Sequence, residues 1–268
     1  MRLFSRDQIT LGCIIGLFIL SGPKALAWQD DISFEARSQG DTMRVFITNP
    51  KPYKQTVSLK LQYSKMTLVG QINSYLVIPP NTIDFVAAKF FMNDRAAATI
   101  NWQGSQYFMG DIFAKHDDTY IYTIPYRKGA SFTISKSEQV ENQVLRIAMP
   151  EDTEIRAGRD GLVLLVRSDS ETGCAVVDCA KFANYIVIEH KDGTMAVYSH
   201  LRKDGVTVKP GDQVKAGDTI GFSGNTGWTS TPQLRFEVLK GNETIQTKFR
   251  LSKKATGYLE HGVKYKSR

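Results

Sequence analysis

The chain has 268 residues, 42% of them hydrophobic and 23% charged, with a formal net charge of +7. Those fractions exclude bulk disorder and suit one large domain or two small ones. The basic balance is mild, and its ordinary meaning is solubility rather than a nucleic-acid partner.

The first 27 residues read as a leader outside the fold. Arg2 and Arg6 form a basic start, and Ile9 to Leu20 is an apolar run of twelve residues. Ser21-Gly22-Pro23 breaks it, and Ala25-Leu26-Ala27 gives the small-x-small pattern of signal-peptidase sites. The run is short for a bilayer span, and no later apolar stretch is long enough for one. Cleavage would discard Cys13 and remove Arg2, Arg6, Lys24 and Asp7, so that three fewer cations and one fewer acid lower +7 to +5. The expected location is secreted across the inner membrane, periplasmic or extracellular. Cys174 and Cys179 remain, in Gly-Cys-Ala-Val-Val-Asp-Cys. In an oxidising compartment a close pair reads as a disulfide; free thiols are the alternative, and metal ligation lacks a second Cys or His pair at ligand spacing.

The rest predicts an all-β protein. Met43–Thr48, Thr56–Tyr63, Tyr75–Ile78, Ile83–Phe91 and Ala96–Trp102 alternate or run apolar between turn signals such as Asn49-Pro50-Lys51-Pro52. Residues 28–115 are therefore expected to form an immunoglobulin-like sandwich acting as a spacer or adaptor. Residues 116–129 read as a junction. His116, Asp117 and Asp118 could be taken for a metal cluster, but adjacent residues rarely converge on one ion, and a solvated turn is the expectation. A second β domain is expected over 130–250. It includes the strands Gly161–Val166 and Asn184–His190, the latter joined to Thr194–His200 by Lys191-Asp192-Gly193, a tight-hairpin signal. Residues 251–268 carry five Lys or Arg against Glu260 and read as a mobile basic tail.

Several motifs in the second half carry a resemblance. They are Ala148-Met149-Pro150-Glu151-Asp152-Thr153, Ala157 to Gly161, Ala183 to His190, Tyr198-Ser199-His200-Leu201, Val208 to Gly221, Ser223 to Gly227, and Pro232 to Val238. In order and spacing they resemble the lysostaphin-type zinc metallopeptidases, the LytM domain, over about residues 120–240. The Val206–Gly221 stretch alone also resembles lipoyl- and biotin-carrier domains, but the flanking motifs fit LytM. The resemblance implies an antiparallel β domain holding one zinc by two His and one Asp, whose bound water attacks a peptide bond in peptidoglycan.

Each implied position can be read in this chain. The first ligand His falls on Asn142 and the ligand Asp on Arg146. The His-x-His pair falls on Gln233 and Arg235, and only the His of Tyr-x-His-Leu is kept, as His200. Arg does not lose its proton, so it cannot bind zinc. A unit charge about 4 Å from a guanidinium costs on the order of 4 kcal/mol at an effective dielectric near 20, and a dication about twice that. The expectation is a pseudo-peptidase with no cofactor and zinc absent. Its groove of Asn142, Arg146, His200, Gln233 and Arg235 is either a relic or a site for an anion or peptide. The resemblance to degenerate LytM proteins implies peptidoglycan, or a cell-wall hydrolase such as an amidase, as partner. An active zinc endopeptidase and a simple peptidoglycan-binding module are the alternatives.

Overall fold

A computed structural model describes residues 32–135, 143–241 and 243–268. The expected leader, Cys13 and Asn142 lie outside the described residues. Within them the chain is almost entirely strand and turn, with a single 3-10 helix at Val177–Phe182. No helix among the described residues is long and apolar enough to cross a membrane.

The N-terminal unit is a two-sheet sandwich. One sheet places Thr42–Asn49 between Ser33–Gln39 and Thr82–Met92, with Met66–Leu68 at its far edge; the other places Gln55–Ser64 between Tyr75–Ile78 and Thr99–Met109. Alternation turns Val45 and Ile47 of one sheet toward Val57 and Leu59 of the other, and all four are buried in one core with Phe90 and Ile78. The turn after Asn49 is locked by that residue's own amide. Its Nδ2 donates to the carbonyls of Tyr53, at 2.9 Å, and Pro79, at 2.8 Å. Two edge strands, Ser33–Gln39 and Met66–Leu68, go beyond those predicted from sequence. The strand expected from Ala96 begins instead at Thr99 and runs on to Met109.

The C-terminal unit is built on one large sheet. Its central order is Gly161–Arg167, Asn184–Glu189, Met195–Val206, Gln233–Lys240, Leu145–Ala148, Ser131–Ile134. One face buries Val163, Ile186, Tyr198, Leu234, Phe236 and Ile147 against Ile155, Ala157 and Ile220. The segment expected as a junction belongs to this core. Ile121–Tyr122 pairs in parallel with Lys248–Arg250, and Tyr122, Ile124 and Tyr126 are all buried in it. His116 contacts Asp118 through Nδ1, and Asp117 caps its own turn through Thr119. Among the described residues no three His, Cys, Asp or Glu side chains converge as a metal site.

The tail also differs from expectation. Lys264–Lys266 pairs with Ser131–Thr133, and Tyr126 Oη donates to the Tyr265 carbonyl at 2.7 Å. Alternation explains the capture: Tyr265 turns inward while Lys264 and Lys266 stay exposed, so the charges do not oppose docking.

The hairpin at Asp192 ties these parts together. Arg159, itself buried, donates to Asp192 at 2.8 Å, as do Thr194 Oγ1 at 2.7 Å and the backbone N–H of Asp117 at 3.0 Å. Burial opposes ionisation of Asp192, but these donors outweigh it and hold the carboxyl far below the usual carboxylate range.

The sandwich rests on the opposite face of the large sheet. Tyr53 and Met109 pack there against Leu164, Val187, Met195 and Val197.

Candidate functional site

Strand alternation divides the sheet into a core face and a groove face. On Gln233–Lys240, Leu234, Phe236 and Val238 point into the core, so Gln233, Arg235 and Glu237 lie on the opposite side. On Leu145–Ala148, Leu145 and Ile147 are core residues, which puts Arg146 on the groove face directly opposite Arg235. The next strands continue the row. Arg235 is in register with Ser199, Ser199 with Tyr185, and Tyr185 with Arg167. The neighbouring row, through Glu237, Val197 and Val187, is where the N-terminal sandwich sits.

His200 occupies a bulge in this sheet. Ser199 pairs with Tyr185 and Leu201 with Asn184, so His200 is the extra, unpaired residue, at φ +69°. Such a backbone is disfavoured for a side chain with a Cβ and survives where its surroundings over-determine it. Here the surroundings are a buried hydrogen-bond network. Asn184 Nδ2 donates to the Leu201 carbonyl at 3.2 Å and to that of Ser170 at 2.8 Å. Thr226 Oγ1 donates to Leu201 O at 2.7 Å and accepts from Asn184 N at 3.0 Å. Gly224 N donates to His200 O at 2.9 Å.

The imidazole is 5% exposed, with Nδ1 2.7 Å from the Thr226 carbonyl. Burial pushes its pKa down to about 4; the Thr226 carbonyl opposes this, and the charges of Arg235 and Arg146 add to it. His200 is therefore neutral at pH 7. A carbonyl only accepts, so the proton sits on Nδ1 and Nε2 is the acceptor nitrogen.

The structure thus brings Arg146, His200 and Arg235 within electrostatic reach of one another. Gln233 joins them, its backbone N–H donating to Gly224 O at 3.2 Å and its Nε2 to Thr229 Oγ1 at 2.8 Å. Four residues not singled out from sequence complete the site. Glu237 forks Arg235, with Nη2 to Oε2 at 3.2 Å and a closer contact from Nη1 to Oε1, and it also accepts from Thr244 at 3.3 Å. Ser199, Thr226 and Asn184 are the others. The i, i+2 spacing of Arg235 and Glu237 was a usable signal; the partners from other strands had none.

Cys174 and Cys179 are bonded, with their Cα atoms 5.8 Å apart. The loop they close is docked on the segment that holds His200. Gly173 and Cys174 pair in parallel with Gly227 and Trp228, and Trp228 Nε1 donates to Ala175 O at 3.0 Å. Gly173 cannot carry a side chain, since a Cβ there would lie 1.7 Å from the Asn225 carbonyl oxygen. Beside this loop a polar cavity of about 330 Å³ is lined by Glu151, Glu171, Arg202, Lys203, Asn225 and Thr226. Reducing the disulfide, or making Cys174→Ser with Cys179→Ser, is expected to cost about 2 kcal/mol for so short a loop. Thermal melts with and without reductant check this; coincident melts would show that the loop holds itself.

These side chains do not fit a zinc ion. Arg146 and Arg235 keep their protons and offer no electron pair. Gln233 uses its amide N–H on Thr229, leaving one amide oxygen and one imidazole nitrogen as donors, beside two cations.

Residues 140–247 match the sequence profile of Peptidase family M23. An "Uncharacterized metalloprotease" of Buchnera aphidicola is 36% identical over 40% of this chain and 25% of its own length. The peptidoglycan DD-endopeptidase ShyA of Vibrio cholerae is 29% identical over 57% of this chain and 34% of its own. The murein hydrolase activator EnvC of Escherichia coli is 32% identical over 37% of this chain and 21% of its own. The chain thus spans about a third or less of the length of each of these relatives.

Proposed function

With residues 140–247 matching the profile of Peptidase family M23, we propose that this chain is a non-catalytic cell-envelope protein that binds peptidoglycan or regulates a cell-wall hydrolase such as an amidase. One observation supports this most: Arg146 and Arg235 stand side by side on the groove face, next to a neutral His200. Two guanidiniums in a ligand set offer no electron pair and cannot replace a carboxylate and an imidazole. A site without zinc has no activated water, and so lacks the attacking group of a metallopeptidase. Regulation by contact needs only a shaped, stable surface. A relative 32% identical over 37% of this chain is a murein hydrolase activator, which favours that role. On this reading the leader exports the chain, zinc is not bound, and the working location is the periplasm or cell exterior.

The test uses purified protein incubated with zinc, desalted and analysed for metal. It is then assayed on peptidoglycan sacculi alone and together with an amidase. The expected result is far less than one zinc per chain, no cleavage by the protein alone, and faster cleavage by the amidase. Retention on sacculi without stimulation would point to the binding role. One zinc per chain with cleavage of cross-links would overturn the proposal.

A further inference from the structure

We propose that the outer face of the N-terminal sandwich carries a glycan-binding platform built on Tyr75, Phe108 and Phe113, which takes a neutral chain of N-acetylated pyranose rings, the chemistry of a peptidoglycan sugar backbone. The site lies outside the groove, so it goes beyond the reading above and does not depend on the absence of zinc.

Strand alternation creates the platform. In the sheet of Tyr75–Ile78, Gln55–Ser64 and Thr99–Met109, the side chains of Val57, Leu76 and Tyr107 pack into the sandwich core. Tyr75, Val77 and Phe108 therefore point the other way. The outer face of an antiparallel sheet is ordinarily polar, so apolar side chains gathered there mark a contact surface. Register does the gathering: Thr56 pairs with both Val77 and Phe108, and Ser58 with both Tyr75 and Gln106. The Tyr75 ring lies 6.0 Å from that of Phe108 and 6.3 Å from that of Phe113, edge to face in both cases. The turn after the last strand brings Phe113 to this face. The Ile112 N–H donates to Thr56 Oγ1 at 3.2 Å, and Thr56 Oγ1 donates to the Gly110 carbonyl at 2.8 Å, which anchors the turn to the sheet. Phe113 is nevertheless 62% exposed. An anchored ring left in water is a surface prepared for a ligand, because little backbone freedom remains to be lost on binding.

The chemistry of the face selects its occupant. A pyranose ring is amphipathic. Its C–H bonds form an apolar face that lies against the negative face of an aromatic ring, while its hydroxyl and N-acetyl groups need hydrogen-bond partners. The row beside the rings supplies them, with a hydroxyl from Ser58, an amide from Gln106 and the Oη of Tyr75. Rows two residues apart lie about 7 Å from each other and neighbouring strands about 4.8 Å, so rings and polar groups fall within the span of one or two linked sugars. A second copy or another protein fits less well. Four apolar side chains are far fewer than the roughly 20–30 residues a side that a stable protein interface engages.

The probe is chitopentaose, five β-linked N-acetylglucosamine units, titrated into the ¹⁵N-labelled protein and followed by NMR, with maltopentaose as the sugar lacking N-acetyl groups. Chitopentaose is expected to give saturable shifts around residues 58, 75, 106, 108 and 113, and maltopentaose to bind several-fold more weakly. Phe113→Ala removes a ring that is mostly in solvent, so the variant should keep its melting temperature and weaken binding about fivefold or more. Tyr75→Ala should do the same, and if it does not fold, Phe113→Ala and the shift map of the unaltered protein still decide. No saturable shifts, shifts confined to the groove around residues 146, 200 and 235, or undiminished binding by folded Phe113→Ala would each overturn the inference. So would a concentration-dependent dimer dispersed by Phe113→Ala, which would assign the face to a second copy. Zinc uptake with cleavage of cross-links would remove the parent reading and leave this site standing, whereas a zinc-free amidase activator indifferent to chitopentaose removes only this site.

Discussion

Phe236→Ala is expected to destabilise the C-terminal unit by about 3–5 kcal/mol, the usual cost of truncating a fully buried Phe. Phe236 is 1% exposed, and its ring lies 5.1 Å from that of Tyr198, 5.9 Å from Phe249 and 6.4 Å from Tyr122. Those neighbours come from the central sheet, the chain beyond residue 247 and the segment before residue 129, so the cavity would open where three distant parts of the chain meet. Little can collapse into it, because Ile147, Leu234 and Val238 are already packed around the same core. A shift of roughly 2–4 °C in melting temperature per kcal/mol for a unit of this size makes the loss plain by calorimetry. Phe236→Leu, which keeps most of the volume, should recover the larger part of it. A loss below about 1 kcal/mol for the Ala variant would mean that the aromatic cluster does not hold the unit together. The substitution should also weaken the groove, since Arg235 and Glu237 flank Phe236 on the opposite face of the same strand.

Stability is expected to fall steeply as pH drops below neutrality, on account of two buried histidines. His190 is pushed down to about 4 by burial, with its Nδ1 2.9 Å from the Asp160 carbonyl and its Nε2 buried without a partner. His200 is pushed down to about 4 for the same first reason. In the unfolded chain both titrate near 6.5. Between pH 6.5 and about 4 the unfolded state therefore binds protons that the native state refuses, and stability is lost as acid is added. Each histidine contributes a slope of up to about 1.4 kcal/mol per pH unit in that window, and little above pH 7. Urea unfolding at pH 7.5 and pH 5.0 measures it. His200→Asn, chosen because Asn tolerates the left-handed backbone, and His190→Gln should each remove about half of the slope. An unchanged slope in both variants would assign the acid sensitivity to other groups.

Much of this protein was legible without coordinates. Alternation along Met43–Thr48 and Thr56–Tyr63 identifies strands because side chains in an extended chain change face at every residue. The same rule, applied to Gln233–Lys240, separates Leu234, Phe236 and Val238 from Arg235 and Glu237. The motif order from Ala148 to Val238 carries the resemblance that the match of residues 140–247 to Peptidase family M23 repeats, and the residue types at Arg146 and Arg235 alone argue against metal ligation. These are local properties, or comparisons position by position.

Which strands meet is not local, and there only the folded chain decides. Nothing near Arg146 in the sequence says that Arg235 lies opposite it, or that Ser199 is left without a partner beside them; both follow from long-range register. His200 looks like one more strand residue until the bulge against Asn184 and Tyr185 turns it out of the ladder. Residues 116–129 and 251–268 look polar or basic enough to be a junction and a tail. Yet Tyr122, Ile124, Tyr126 and Tyr265 find a core and a strand edge to dock on, and burying those few large side chains outweighs the solubility of their charged neighbours. The sequence by itself determined which face each side chain takes and which residue types stand at the positions of the groove. The tertiary structure decided which of those side chains became neighbours, because pairing between strands is set by the packing of the whole sheet.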